Sequence, residues 1–179
     1  MLIKGRPKNF DQRLHKEKRV YELLDELGVE YYRIDHSVTM TMEECSIVER
    51  ELNAAICKNL FLVNSNKSQY YLLMLCGDKK FKTKEISKQI QSSRLSFASD
   101  DKMLEYLDIS PGSVSVMGLM NDIDNHVQLI VDEDLFTQDY IGFHPCINTT
   151  SMKIKTSDLF NRVLPNIHHD YIKVICKNA

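Results

Sequence analysis

Two apolar runs on either side of a polar cluster constrain this chain more than any other feature. Residues 59–63 (NLFLV) and 69–75 (QYYLLML) are almost continuously apolar or aromatic, and Asn64-Ser65-Asn66-Lys67-Ser68 lies between them. Strands with one wet face alternate polar and apolar side chains, whereas strands covered on both faces lose that alternation. The pattern predicts a hairpin whose two strands lie centrally in a sheet.

Other elements are arranged irregularly around this hairpin. Leu14, Val20, Tyr21, Leu23, Leu24 and Leu27 recur at helical spacing over 11–27, and Gly28 is placed to cap that helix. Residues 29–34 read as a strand. Thr41 with Glu44 forms a capping box for a helix over 42–52. A helix over 83–91 and a strand over 94–97 follow, then a helix capped by Ser99 that runs to 107. Residues 110–113 are a loop, 127–131 a strand and 132–136 a helical turn. Strands are expected at 141–143 and 152–154, and a last helix, capped by Thr156 or Ser157, ends near 163, before Pro165. Strict βαβ repetition is absent. The expected fold is therefore α+β: a single domain with a mixed, mostly antiparallel, curved sheet flanked by short helices. Residues 1–10 read as a surface arm and 11–179 as the domain, in keeping with a chain of 179 residues.

Composition excludes several classes. With 23 basic and 25 acidic residues the net charge is −2, so a uniformly basic nucleic-acid coat is ruled out and a local basic face is not. No apolar run approaches the roughly 20 residues of a membrane span, and residues 1–19 lack an apolar signal core. Cys45, Cys57, Cys76, Cys146 and Cys176 are odd in number and widely spaced, as expected of free thiols in a reducing cytoplasm. No CxxC pair, zinc spacing, GxSxG, P-loop, GxGxxG or HExxH is present, so neither metal nor cofactor is expected.

Four segments carry candidate chemistry. Lys58-Asn59 opens the first apolar strand. The lysine either simply reaches solvent or holds an anion such as phosphate at the sheet rim, and Asn59 adds a hydrogen-bond donor. In the second segment, 111–118, Gly112 is followed by Ser113 and Val114, which either form a plain turn or bring backbone N–H groups close to a ligand. The third, 142–148, contains His144-Pro145, and the proline favours an extended backbone at the histidine. His144 is either a hydrogen-bonded structural residue or a pocket group, and Cys146 beside it is more readily a small buried hydrophobe than a nucleophile. The fourth is a charge run, Lys79, Lys80, Lys82, Lys84, Lys88 and Arg94, opposed only by Asp78 and Glu85. It is either a solvated helix face or a phosphate-backbone contact.

Taken in order, several stretches resemble the YbaK/ProX family of aminoacyl-tRNA editing domains, and within it the free-standing PrdX/ProXp-ala deacylases. They are Glu26-Leu-Gly-Val-Glu-Tyr with Asp35-His36, Lys58-Asn-Leu-Phe-Leu, Arg94-Leu-Ser-Phe-Ala, Pro111-Gly-Ser-Val-Ser, Gly118-Leu-Met-Asn-Asp, and Phe143-His-Pro-Cys-Ile-Asn-Thr. Together they span about residues 17–165. The resemblance implies a mixed sheet flanked by helices and a hydrolase that removes a wrong amino acid, with alanine expected, from the acceptor end of tRNA(Pro). It assigns the family's lysine to Lys58, the adjacent asparagine to Asn59, the GxxxP loop to residues 112–116 and the histidine of the His-Pro segment to His144. Val116 stands where the motif has proline. His36 matches a histidine that commonly precedes proline, and Ser37 stands here instead.

The chemistry expected from both lines is direct attack of water on the aminoacyl ester, without an acyl-enzyme. Lys58 would hold the terminal phosphate or ribose, and backbone groups of Gly112, Ser113 and Val114 would polarise the carbonyl. Asn59, His36 and His144 would line the pocket, with Met40, Met42 and Phe143 as wall residues that exclude proline by size. Other readings stay open: the same fold acting on Cys-tRNA(Pro) or other small-amino-acid tRNAs, a tRNA-binding module without catalysis, or an interaction domain using its lysines. Prolyl-tRNA synthetase or elongation factor are possible partners, and a membrane is not expected.

Overall fold

A computed structural model describes residues 1–38 and 41–178; Met40 lies outside the described residues. Nine strands form two sheets among these residues. The first sheet, order β1-β2-β8-β7, contains β1 (Ile3–Lys4), β2 (Tyr31–Asp35), β8 (Thr150–Lys155) and β7 (Tyr140–Phe143), all antiparallel. The second, order β5-β3-β4-β6-β9, contains β5 (Ser96–Phe97), β3 (Lys58–Val63), β4 (Tyr70–Leu75), β6 (Val127–Asp132) and β9 (Tyr171–Val174). Its β4–β6 and β6–β9 pairs are parallel and its other pairs antiparallel. The α+β fold is as the sequence implied, but its strands are divided between two sheets.

The apolar hairpin is central as expected: β3 pairs with β4 from Lys58↔Leu75 to Val63↔Tyr70, and every residue of β4 is buried. One face of β3 and β4 packs into the main core with α1 (His15–Glu26) and the first sheet, through Phe61, Val63, Leu72 and Met74. The other face, carrying Leu62, Tyr71, Leu73 and Leu75, is covered by α3 (Thr83–Gln89) through Ile86. A third cluster places Val48 and Leu52 of α2 (Met42–Leu52) against Ile34.

Local signals explain the helix ends. The Thr41–Glu44 capping box is formed reciprocally, and the Ser99 hydroxyl accepts from the Lys102 N–H to start α4 (Asp100–Leu107). Gly28 ends α1, with Val29 N–H donating to the Leu24 carbonyl at 2.9 Å. The last helix departs from expectation. It runs from Thr156–Asp158 through a π turn, Leu159–Val163, into Leu164–Asn166 and so passes through Pro165. Proline has no N–H for the i−4 carbonyl, and the widened turn ahead of it absorbs that loss.

The two sheets are joined beside the hairpin's open end. Cys57 N–H donates to the Gly142 carbonyl at 2.9 Å, and Gly142 N–H donates to the Ala55 carbonyl at 3.1 Å. A β-carbon on Gly142 would lie 2.7 Å from the Ala55 oxygen, so this crossing requires glycine. It is the step that brings β7 next to Lys58.

Candidate active site

The open end of the β3–β4 hairpin releases two segments, residues 55–57 before β3 and 76–79 after β4. Together with α2, the segment 134–140 and His144 they enclose a cleft of about 850 Å³. Lys58, Lys79, Glu49, Asp134, Tyr140 and His144 are among its lining residues. Alternation along β7 explains who faces it. Ile141 and Phe143 enter the main core, while Tyr140 and His144 line the cleft.

Lys58 is the exposed first residue of β3. Its ammonium donates to the Lys79 carbonyl at 2.6 Å, which leaves two of its N–H donors for another acceptor. The turn that presents this carbonyl is held from below. The Lys79 ammonium, with its side chain 5% exposed, lies 2.8 Å from Oδ2 of fully buried Asp132 and 2.6 Å from Asp134. Burial alone would depress this ammonium; the hydrogen bonds to Asp132 and Asp134 overturn that and raise its pKa above the usual lysine value. Lys79 belongs to the charge run, yet it is an internal strut, and no sequence motif marks either it or Asp132 as part of a site.

His144 lies beside a hydrogen-bonded chain. Its Nδ1 is 3.0 Å from the Thr150 carbonyl and 3.5 Å from the Ser151 hydroxyl. The carbonyl can only accept, so Nδ1 carries the proton and Nε2 is an acceptor. His36 Nε2 is 2.8 Å from the same Ser151 hydroxyl, and its Nδ1 is 3.0 Å from the Ser37 carbonyl. With the His144 proton on the Thr150 carbonyl and the His36 Nδ1 proton on the Ser37 carbonyl, the Ser151 O–H donates to His36 Nε2. Burial holds the His144 pKa below its ordinary 6.5, against the raising effect of the Thr150 carbonyl, so the imidazole is neutral at pH 7. Ser151 is fully buried on β8 and is recognisable only once β2, β8 and β7 are side by side.

Other sequence candidates fall elsewhere. Asn59 points away from Lys58, because β3 alternates: Asn59 shares the face of Phe61 and Val63, and Lys58 that of Leu60 and Leu62. Its Nδ2 donates to the Cys57 carbonyl at 3.2 Å, and its Oδ1 is buried without a partner. Phe143 is fully buried in the core, so the expectation of a pocket wall is corrected. Met42, 89% exposed at the start of α2, does line the cleft.

The glycine turn is corrected as well. Gly112 has φ +88° and Ser113 N–H closes the turn on the Ser110 carbonyl at 3.2 Å. However, Pro111 and Ser113 line a second cavity of about 400 Å³ with Arg13, Cys146 and Asn148. Lys58 and this turn therefore do not face one hollow; the loop 144–149 has His144 on one cavity and Cys146 to Thr149 on the other. Val114 is half-buried against the main core. Burial raises the Cys146 thiol to about 12, which removes it as a nucleophile beside His144. Val116 is fully buried at the first position of a 3₁₀ turn, Val116–Asn121, capped by the Ser115 hydroxyl. Among the described residues no group of three or more His, Cys, Asp or Glu side chains is arranged to hold a metal ion, and no helix is long and apolar enough to cross a membrane.

A fold of two joined sheets with a cleft that bears a lysine and a histidine defines a class, and comparison with known proteins identifies it. Residues 36–161 match the aminoacyl-tRNA editing domain; the chain belongs to that family and is thus a hydrolase of the aminoacyl-tRNA ester. It is 33% identical over 150 residues to the prolyl-tRNA editing protein ProX of Acetoanaerobium sticklandii, covering 84% of this chain and 92% of that one. It is 29% identical over 143 residues to the prolyl-tRNA synthetase associated domain-containing protein 1 of Bos taurus, covering 78% of this chain and 82% of the other. Among solved structures, a proposed trans-editing enzyme for prolyl-tRNA synthetase superimposes with a TM-score of 0.66 at 16% identity, covering 94% of this chain and all of that one.

Proposed function

We propose that this protein is a free-standing deacylase that hydrolyses mischarged tRNA(Pro), with Ala-tRNA(Pro) as its substrate. The observation that carries the proposal is the pairing of an exposed ammonium, Lys58, with a neutral imidazole, His144, on the walls of one cleft. The names of the relatives, ProX above all, support tRNA(Pro) as the carrier.

In this reading Lys58 holds a phosphate or ribose oxygen of the acceptor end, and a charge-assisted contact fixes the ester without proton transfer. His144 Nε2 accepts from the substrate ammonium or from the attacking water, and the Thr150 carbonyl keeps its tautomer. Asn59, on the opposite face of β3, acts at one remove, its Nδ2 holding the Cys57 carbonyl at the start of the strand that carries Lys58. Water adds to the ester carbonyl, the acyl C–O bond breaks, and the products are the free amino acid and a tRNA with its terminal hydroxyl restored. Gly112, Ser113 and Val114 act at one remove, by supporting loop 144–149; a β-carbon on Gly112 would lie 3.8 Å from the Asn148 amide. Met42, on the cleft wall, limits the amino acid by size. Residues 11–179 form the deacylase domain, and the arm of residues 1–10 adds the edge strand β1 to its first sheet. The site of action is the cytoplasm, where five unpaired cysteines stay reduced, with prolyl-tRNA synthetase or elongation factor as candidate partners.

The test is deacylation of Ala-, Cys- and Pro-charged tRNA(Pro). Loss of a hydrogen bond to a charged group costs about 1.5–3 kcal/mol, so Lys58→Ala should lower kcat/KM on Ala-tRNA(Pro) by about 10- to 150-fold. Equal rates for Lys58→Ala and the native protein would refute the assignment. Equal rates on Ala- and Pro-charged tRNA would refute the size filter.

A further inference from the structure

We propose that the turn 76–81, which leads from Lys58 to the exposed ring of Phe97, is a platform for the single-stranded 3′ end of the tRNA, with one base stacked on Phe97 and its phosphates met by Lys80, Lys84 and Lys88. The proposal rests on the reading of this chain as a tRNA deacylase and extends it to the nucleotides preceding the ester.

The platform follows from strand alternation. Lys58, Leu60 and Leu62 share one face of β3, and Leu60 and Leu62 belong to the cluster beneath α3. Phe97 of β5 is the register partner of Leu62. Four residues of strand separate Lys58 from that partner, about 13 Å. A few unstacked nucleotides can cover this distance. Phe81 lies between: it packs on the same cluster as Leu60 and meets Phe97 edge-on with ring centroids 6.1 Å apart. Phe81 is partly buried, whereas Phe97 is 67% exposed. Its ring is thus braced by Phe81 and open to solvent.

The charges around it point to nucleic acid. Lys79 is used internally against Asp132 and Asp134, and Lys82 lies 3.9 Å from Glu85. Lys80, Lys84 and Lys88 are exposed and have no acidic partner among the described residues. The chain carries a net charge of −2, so this patch is a local inversion. Protein interfaces are depleted of lysine at their centre. An exposed ring, with unpaired ammonium groups on the turn and helix that carry its bracing Phe81 into the fold, is instead the combination by which single strands are held: sequence-tolerant stacking plus an electrostatic track. The turn 76–81 joins the two sites, since Lys79 offers its carbonyl to Lys58 on the cleft side and Lys80 and Phe81 follow directly.

The experiment uses the full chain with uncharged tRNA(Pro) transcript for affinity, and with Ala-tRNA(Pro) and 3′-O-alanyl-adenosine for turnover. Phe97→Ala should weaken tRNA binding and raise KM for Ala-tRNA(Pro) by about 5- to 100-fold, with kcat and hydrolysis of the adenosine ester unchanged. Phe97→Tyr, which keeps the ring, should restore native values. Lys80→Ala, Lys84→Ala and Lys88→Ala combined should flatten the slope of log affinity against log salt by about 0.7 for each single-strand phosphate no longer neutralised. Native affinity and salt slope in both variants would overturn the proposal. So would a Phe97→Ala variant that leaves tRNA binding intact and instead dissolves a dimer in sedimentation, which would assign the face to a second copy. Should Lys58→Ala turn over at the native rate while Phe97→Ala still loses tRNA, the platform stands and the active-site reading falls.

Discussion

The strut under Lys58 supplies the sharpest energetic prediction. Asp132→Ala leaves the Lys79 ammonium, with its side chain 5% exposed, facing only Asp134, which is 53% exposed. Removing one partner of a buried ion pair costs about 3–5 kcal/mol, because the remaining charge is desolvated without compensation. Asp134 still lies 2.6 Å away, so the lower end, about 3 kcal/mol, applies here. With a urea dependence of about 2 kcal/mol/M the unfolding midpoint should fall by about 1.5 M. Replacing both charges, Lys79→Met with Asp132→Leu, removes the desolvated ions together and should return the midpoint to within about 0.5 M of native. The backbone carbonyl that holds Lys58 survives in that double variant, so deacylation should stay within a few-fold of native. The assay is urea unfolding followed by circular dichroism, since the chain has no tryptophan. A midpoint shift below about 0.5 M for Asp132→Ala, or a double variant as unstable as the single one, would refute the reasoning.

Three further outcomes are expected. Burial depresses His144 below 6.5, so between its folded and ordinary values the unfolded chain binds more protons; stability is full above pH 6.5 and declines as pH falls below it. His144→Gln should flatten that decline in pH-dependent melting, and a curve unchanged in shape would count against a depressed imidazole. For Asp122, burial would raise the carboxyl, but the His169 ring and the Val127 and His126 N–H groups outweigh it and lower its pKa below 3.8. Its contribution is therefore present above pH 3.8 and lost as pH falls through the folded value, so Asp122→Asn should cost about 1–3 kcal/mol at pH 7 and progressively less in acid; an equal cost at both would be contrary evidence. Val116→Pro restores the family motif at a helix-start position that follows an extended Ser115 at φ −145°, ψ 145°. A backbone-entropy gain of about 0.4–1 kcal/mol against a similar loss of packing predicts stability within about 1 kcal/mol of native, and a loss well above 3 kcal/mol by chemical denaturation would show that the loop rejects proline.

Short-range physics was written in the sequence. Continuous apolar runs around a turn cluster specify a buried hairpin, because only two covered faces tolerate them. Hydroxyl and carboxylate side chains at Thr41, Glu44 and Ser99 specify helix starts, because they satisfy N–H groups that no helix can satisfy itself. Lys58 and His144 could be named from their segments and the family resemblance. Assembly was not written there. The parallel pairing of β6 with β9 joins residues far apart in the chain, and three of the four β9 residues are exposed, so no local pattern marks that strand. Strand parity, fixed only when each sheet has a core side, sends Asn59 away from Lys58 and turns Phe143 inward. The close crossing at Gly142 brings the His144 and Lys58 strands together. The same long-range closure makes Lys79 a buried strut beside Asp132 and puts the glycine turn on a separate cavity. Which residues share a cleft depends on register and sheet pairing, and those are settled by burial summed over the whole chain rather than by any one segment of it.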